Sequence, residues 1–168
     1  MFLTGILTIS DRSSRGERAD ESGQVAQKYL ESLSKFKVIK YEIVPDEAEA
    51  ISRKLIEWVD IEKLDFIVTS GGTGLAPRDV TPEATLSVVE KVLPGISEVM
   101  RLDTRKKAPS SILSRAVAGS RGKSLIINLP GSPVAVKECL EVVINVVPHA
   151  LETLSGKVFE GPHTIGSI

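Results

Sequence analysis

Short apolar runs rich in β-branched residues, separated by amphipathic stretches of helical period, constrain this chain more than any other feature. Residues 3–9 and Leu64-Asp65-Phe66-Ile67-Val68-Thr69 read as buried strands. Lys37 to Val44 alternates as a strand, and Leu125-Ile126-Ile127-Asn128-Leu129 is continuous enough to run through the middle of a sheet. Between them, residues 21–33 place Val25, Tyr29, Leu30 and Leu33 on one helical face. A helix opening at Asp46 carries Ile51, Leu55, Ile56 and Val59 as its apolar stripe. Parallel neighbours need crossover connections, so this rhythm predicts a parallel sheet covered by helices on both faces.

The second half keeps the pattern and adds an irregularity. Thr81-Pro82 predicts a helix start, with Thr81 as cap, running to about Val92 and stopped by Pro94-Gly95. Residues 96–107 form a less regular helical stretch. Residues 112–119 and 124–129 flank the turn signal Ser120-Arg121-Gly122-Lys123 and predict a hairpin. Gly131-Ser132-Pro133 starts a helix bearing Val136, Leu140, Val143, Ile144 and Val147, which Pro148 kinks or restarts before Gly156. The expectation is one three-layer αβα domain over 1–168, with 157–168 as a C-terminal tail. Its sheet is doubly wound and mostly parallel, with an antiparallel hairpin at one edge. Ligands of such sheets bind beyond the carboxyl ends of the strands, where 10–16, 45–47, 70–79 and 128–132 all fall.

Composition narrows the function classes. The net charge of −1 over 168 residues lacks the cationic excess of a general nucleic-acid binder. The single cysteine, Cys139, excludes an internal disulfide, and no Cys or His cluster has zinc spacing. His149 and His163 have no neighbouring arrangement of a catalytic triad. The opening apolar run lacks the basic lead-in of a signal peptide, and no run reaches the roughly 20 residues of a membrane span. A cytoplasmic setting, away from membranes, is expected.

The chemistry gathers at glycines and aspartates. Ser70-Gly71-Gly72-Thr73-Gly74 follows a buried strand, and its glycines permit positive φ and converging N–H groups for a phosphate. It is neither a Walker loop nor a dinucleotide fingerprint. Pro77-Arg78-Asp79-Val80-Thr81-Pro82 then places Asp79 just before a helix, as a turn residue or as a ligand to a metal on a polyphosphate. Asp46 can cap its helix, with Glu49 completing a capping box, and can serve a metal as well. Magnesium commonly binds through one or two carboxylates plus substrate phosphates. Nucleotidyl transfer to an anionic phosphate needs positioning and charge compensation rather than a strong base.

These segments stand in order with Thr8-Ile9-Ser10-Asp11-Arg12, Leu113-Ser114-Arg115 and Asn128-Leu129-Pro130-Gly131-Ser132-Pro133. Together they resemble the molybdopterin adenylyltransferases, of the bacterial MogA type and the plant and gephyrin G domains. The resemblance implies Mg2+-dependent transfer of AMP from ATP to the molybdopterin phosphate, with release of pyrophosphate, in molybdenum-cofactor assembly. It assigns Asp46 and Asp79 to catalysis and magnesium, and Gly71, Gly72, Thr73 and Gly74 to ATP. Ser114 is assigned to molybdopterin or its adenylated product, with Ser10, Asp11, Pro130, Gly131 and Ser132 lining the same end of the sheet. A homotrimer and a downstream molybdenum insertase are also implied. MoaB-type relatives share the glycine loop, so a non-catalytic molybdopterin-binding scaffold is the alternative. Two neighbouring carboxylates favour the transferase, because a pure binder of an anionic pterin has little use for them. An unrelated nucleotide-binding regulator would fit the fold but not the whole motif set.

Overall fold

Six strands form one sheet: β1 (Phe2–Ile9), β2 (Phe36–Val44), β3 (Phe66–Ser70), β4 (Lys91–Val92), β5 (Ala118–Arg121) and β6 (Ser124–Leu129). The computed structural model describes residues 1–156, so the expected tail at 157–168 lies outside the described residues. The strand order is β2-β1-β3-β6-β5-β4, with β2, β1, β3 and β6 parallel and β5 antiparallel to both its neighbours. The helices are α1 (Asp11–Ser14), α2 (Glu21–Glu31), α3 (Ala48–Ile56), α4 (Thr81–Leu86), α5 (Pro94–Thr104), α6 (Pro133–Val143) and α7 (Val147–Leu154).

Strand periodicity divides the core into two layers. Phe66 and Val68 of β3, with Leu125, Ile127 and Leu129 of β6, pack against Ala26, Leu30, Val136, Leu140 and Leu151. Ile67 and Ile126 point the other way, to Ile51, Leu55, Trp58 and Ala84. Continuous apolar strands buried on both faces are what a parallel sheet between two helical layers requires. The expected three-layer architecture is therefore present.

Several local expectations are corrected. The stripe after Asp46 uses Ile51, Leu55 and Val59, but Ile56 is exposed, because at about 3.6 residues per turn it lies well round the helix from Ile51. Trp58, seven residues on from Ile51, falls on the buried face as the chain passes into the π-helical turn Glu57–Ile61. Gly5 makes room for that indole, since a Cβ there would lie 2.7 Å from the Trp58 ring. The helix from Thr81 ends at Leu86 rather than Val92, because the chain leaves it to pair with β5: Glu90 N–H donates to Ser120 O (2.8 Å) and Lys91 aligns with Ser120. Pro94 begins α5 instead of closing a helix. The hairpin joins β5 and β6 at Gly122, with φ of 53°, and the two-residue β4 rather than the hairpin forms the sheet edge. The strand expected over 112–119 begins only at Ala118, and its first two residues, Ile112 and Leu113, end a 3-10 helix at Pro109–Leu113.

The sheet holds one buried polar knot. Asn128 Nδ2 donates to Thr69 Oγ1 and Thr85 Oγ1, each at 2.9 Å, and Asn128 Oδ1 accepts the Val117 N–H at 3.2 Å. It joins β3, β6 and α4 to the segment entering β5. Asn128→Leu should destabilise the fold by about 3 kcal/mol, because each buried group left without a partner costs about 1–3 kcal/mol. Urea unfolding should show a lower midpoint at unchanged m; a loss below about 0.5 kcal/mol, inside the ordinary range for surface substitutions, would show that the knot contributes little.

Candidate active site

Register brings three strand ends into line. Thr8 aligns with Ser70 and Ser70 with Leu129, so the loops after β1, β3 and β6 emerge side by side. Gly71, at φ of 103°, donates its N–H to Leu129 O (3.1 Å), and a Cβ on it would strike Ile9 O. Only glycine passes between these two strand ends. Thr81, expected as a helix cap, is instead the first residue of α4 and pins the loop: its N–H donates to Gly72 O (3.1 Å) and its Oγ1 to Gly71 O (2.9 Å).

Asp46 is not a helix cap. Glu47 holds that position without a side-chain bond, and the capping box with Glu49 is absent because the Asp46 carboxylate faces the other way. Asp46 Oδ2 accepts the Asp11 N–H (2.7 Å), and Asp11 Oδ1 accepts the Asp46 N–H (3.0 Å), a reciprocal pair. Arg78 closes over it, donating through Nε and Nη2 to the two Asp11 oxygens at 3.0 and 2.8 Å. The loops after β1, β2 and β3 are thereby tied together. The guanidinium hydrogen bond holds the Asp11 carboxyl below its usual range. Burial pushes Asp46 above its own; the neighbouring charges of Asp11 and Asp79 add to this, against the Asp11 N–H and Arg78.

Asp79 approaches from the opposite side of the loop. Its Oδ2 accepts the Ala76 N–H (2.9 Å) and would lie 2.8 Å from a Cβ on Gly74, as Asp46 Oδ1 would lie 3.2 Å from one on Gly72. Arg115 clamps this segment. Its Nε donates to Gly74 O (2.8 Å), its Nη2 to Asp79 O (2.7 Å) and its N–H to Thr73 O (2.9 Å), while Nη1 pairs with Glu83. The sequence marks Arg115 only as the neighbour of Ser114, since contacts spanning some 30–40 residues leave no local signal. Asp20 was likewise missed. Its buried carboxylate accepts from Tyr41 Oη (2.5 Å), Ser22 Oγ (2.9 Å) and the Gly23 N–H (2.9 Å), tying α2 to β2 beside the site.

Two cavities flank the glycine loop. One of about 180 Å3 meets Ser10, Asp46, Gly71, Gly72 and Gly131; the other, of about 570 Å3, meets Thr73, Gly74, Ser114, Pro130 and Ser132. The residues expected to share one pterin surface therefore divide, with Ser10, Gly131 and, through its pairing with Asp46, Asp11 on the smaller side. Ser114 follows the 3-10 helix with extended backbone rather than starting a strand. Among the described residues no three His, Cys, Asp or Glu side chains assemble a metal cage. Magnesium needs only one or two carboxylates when phosphates supply further oxygens. Asp46 and Asp79 fit that demand, and a divalent cation would offset the burial and the neighbouring carboxylate charges that hold Asp46 above its ordinary range.

Comparison with known proteins adds to this geometry. Residues 5–149 match the family model described as "Probable molybdopterin binding domain". A protein of Helicobacter pylori strain J99 named molybdopterin adenylyltransferase is 46% identical over 157 residues, which are 93% of this chain and 89% of that one. The Escherichia coli K12 protein of the same name is 41% identical over 88% of this chain and 78% of its own. The crystal structure of the molybdopterin biosynthesis enzyme MoaB from Thermus thermophilus superposes with a TM-score of 0.87 at 50% identity, covering 95% of this chain and all of that one.

The strained carboxylate makes a stability prediction with a definite sign. Because the folded state raises the Asp46 carboxyl above its unfolded value of about 3.9, ionising it opposes folding as pH rises through that window. Asp46→Asn keeps an oxygen for the Asp11 N–H and removes the charge. Its melting temperature should exceed that of the unsubstituted chain at pH 7, with the gain vanishing below about pH 4. A melting temperature lowered at pH 7 would show that the Asp46 charge stabilises the fold.

Proposed function

The chain belongs to the molybdopterin-binding domain family and is a nucleotidyltransferase of molybdenum-cofactor biosynthesis, and from that premise we propose that it transfers AMP from ATP to the phosphate of molybdopterin. The observation that carries the proposal is the placement of Asp46 and Asp79 against opposite ends of one glycine loop, which itself borders both cavities. In this reading the loop from Gly71 to Gly74 cradles the ATP phosphates through the N–H groups of Gly72, Thr73 and Gly74, while the Gly71 N–H stays on Leu129 O and holds the loop to the sheet. Ser114, Pro130 and Ser132 face the pterin in the larger cavity. Ser10, Asp11 and Gly131 border the nucleotide side, where Asp11 keeps Asp46 oriented.

Asp46 and Asp79 would hold Mg2+, which when bound offsets charge on the α-phosphate and the departing pyrophosphate. A pterin phosphate oxygen attacks the α-phosphorus, a new P–O–P bond forms, and the bond to the β-phosphate's bridging oxygen breaks to release pyrophosphate. The attacking oxygen is already anionic, so no side chain need take a proton. Arg115 holds the Gly74 and Asp79 carbonyls, fixing the loop on which the alignment depends. Family membership further supports a cytoplasmic homotrimer that passes its product to a molybdenum insertase. Among the described residues no helix is long and apolar enough to cross a membrane.

Two substitutions test the assignment. Asp79→Asn should reduce pyrophosphate release from ATP, magnesium and molybdopterin by about 100-fold or more, the scale of losing one electrostatic element of such a site, while melting stays near that of the parent. Near-normal release would remove Asp79 from the chemistry. Ser114→Ala should weaken molybdopterin binding and leave ATP affinity nearly unchanged in separate titrations. The opposite pattern would mean that the two halves of the site are reversed.

A further inference from the structure

Arg101 projects from α5 into the wall of the larger cavity, half-buried, where its Nη1 donates to the carbonyls of Ser114 (3.2 Å) and Ala116 (3.0 Å). Among the described residues no carboxylate pairs with it, and its Nε and Nη2 groups meet no protein acceptor. Other arginines around the sheet are matched: Arg78 with Asp11, Arg115 with Glu83 and Arg121 with Asp60. Arg78 and Arg121 each grip their carboxylate through the Nε and Nη2 edge. That same edge is unused in Arg101. A guanidinium is a permanent cation whose planar fork suits carboxylate and phosphate, and a charge partly withdrawn from water calls for a counter-charge.

The nearby hydroxyls sort in the same sense. Thr104 and Ser111 donate to the carbonyls of Met100 and Arg101, which occupies their protons. Ser114 Oγ instead accepts the Ala116 N–H (3.3 Å), leaving its own proton to donate. Glu138, the carboxylate on the cavity wall, is paired with Lys107 at 3.2 Å. The Arg101 end of the cavity thus presents guanidinium and Ser114 hydroxyl donors with no unpaired carboxylate beside them, against apolar walls that include Met100 and Ala116.

We propose that Arg101 and Ser114 form an anion site in the larger cavity that takes the phosphate monoester of the pterin substrate. The identity of that ligand rests on the transferase reading; the anion site itself rests on the unmatched guanidinium. The placement suits delivery, because Thr73 and Gly74 border the same cavity and Arg115, next to Ser114, grips both of their carbonyls. A phosphate held there lies beside the loop that carries the nucleotide.

The test is a titration of the 15N-labelled full chain with inorganic phosphate, followed through its amide resonances. The Ser114 and Ala116 amides should shift saturably. Arg101→Leu should weaken this by about tenfold or more, the loss of a charged hydrogen bond. Arg101→Lys should retain part of the affinity. Ser114→Ala, which leaves the carbonyl contacts of Arg101 in place, should weaken it to a smaller degree and covers the case in which Arg101→Leu fails to fold. Shifts confined to Gly71–Gly74, or an Arg101→Leu titration matching the parent, would overturn the site. Molybdopterin should then compete with phosphate for the same resonances. Phosphate binding at Arg101 without that competition would overturn the assignment of the pterin phosphate, whereas loss of pyrophosphate release with competition intact would count against the transfer chemistry alone.

Discussion

The passage of Gly71 between two parallel strand ends is the constraint from which the site follows. Ile9 O stands where its Cβ would be and Leu129 O receives its N–H, so the backbone of β3 leaves the sheet wedged between its neighbours. A side chain would force β1 and β3 apart, and the parallel register on which both core layers are built would shift with them. The positive φ at Gly71 and Gly72 then turns the chain so that Thr81 can catch both carbonyls. Core packing and site geometry meet in this one turn.

Around that turn the protein concentrates charge in a way that favours ligands over stability. Asp11, Asp46 and Asp79 converge with Arg78, leaving an acidic excess beside a loop shaped for phosphates. Asp11 and Asp46 hold each other through their backbone N–H groups, which directs both carboxylates without neutralising them. On the other side of the loop Arg115 spans Gly74, Asp79 and Glu83. Catalysis by positioning needs such rigidity at the loop and unfilled coordination at the carboxylates, and the two arginines supply the first while leaving the second.

The sheet was legible because its strands are long apolar runs whose period and flanking helices leave little choice, and β1, β2, β3 and β6 fall within a residue or two of expectation. The glycine loop and Asp79 were legible because they lie close together in the chain, and Asp46 because its segment stands in order with theirs in the family resemblance. Tertiary pairing hid the rest. Residues 87–92 carry a helical pattern but are captured as the edge partner of β5, and the π-helical turn at 57–61 has no pattern in its own residues that marks it off from the helix before it. Asp46 satisfied the spacing of a capping box, yet the Asp11 N–H, distant in sequence, offered its carboxylate a better-placed partner. Arg101 and Arg115 act through contacts that no short window contains, and Asp20, a local cap of α2, is tied to β2 beside the site only through the distant Tyr41.

Adenylyl transfer is tested most directly by the fate of the ATP phosphorus atoms. The full chain, magnesium and molybdopterin are incubated with ATP labelled at the α-phosphate or, separately, at the γ-phosphate, and the pterin is isolated. Label from the α-phosphate should appear in the pterin, and label from the γ-phosphate should appear only in released pyrophosphate. Transfer of the γ label to the pterin, or a pterin that stays unlabelled in both, would contradict the reaction assigned to Asp46, Asp79 and the glycine loop.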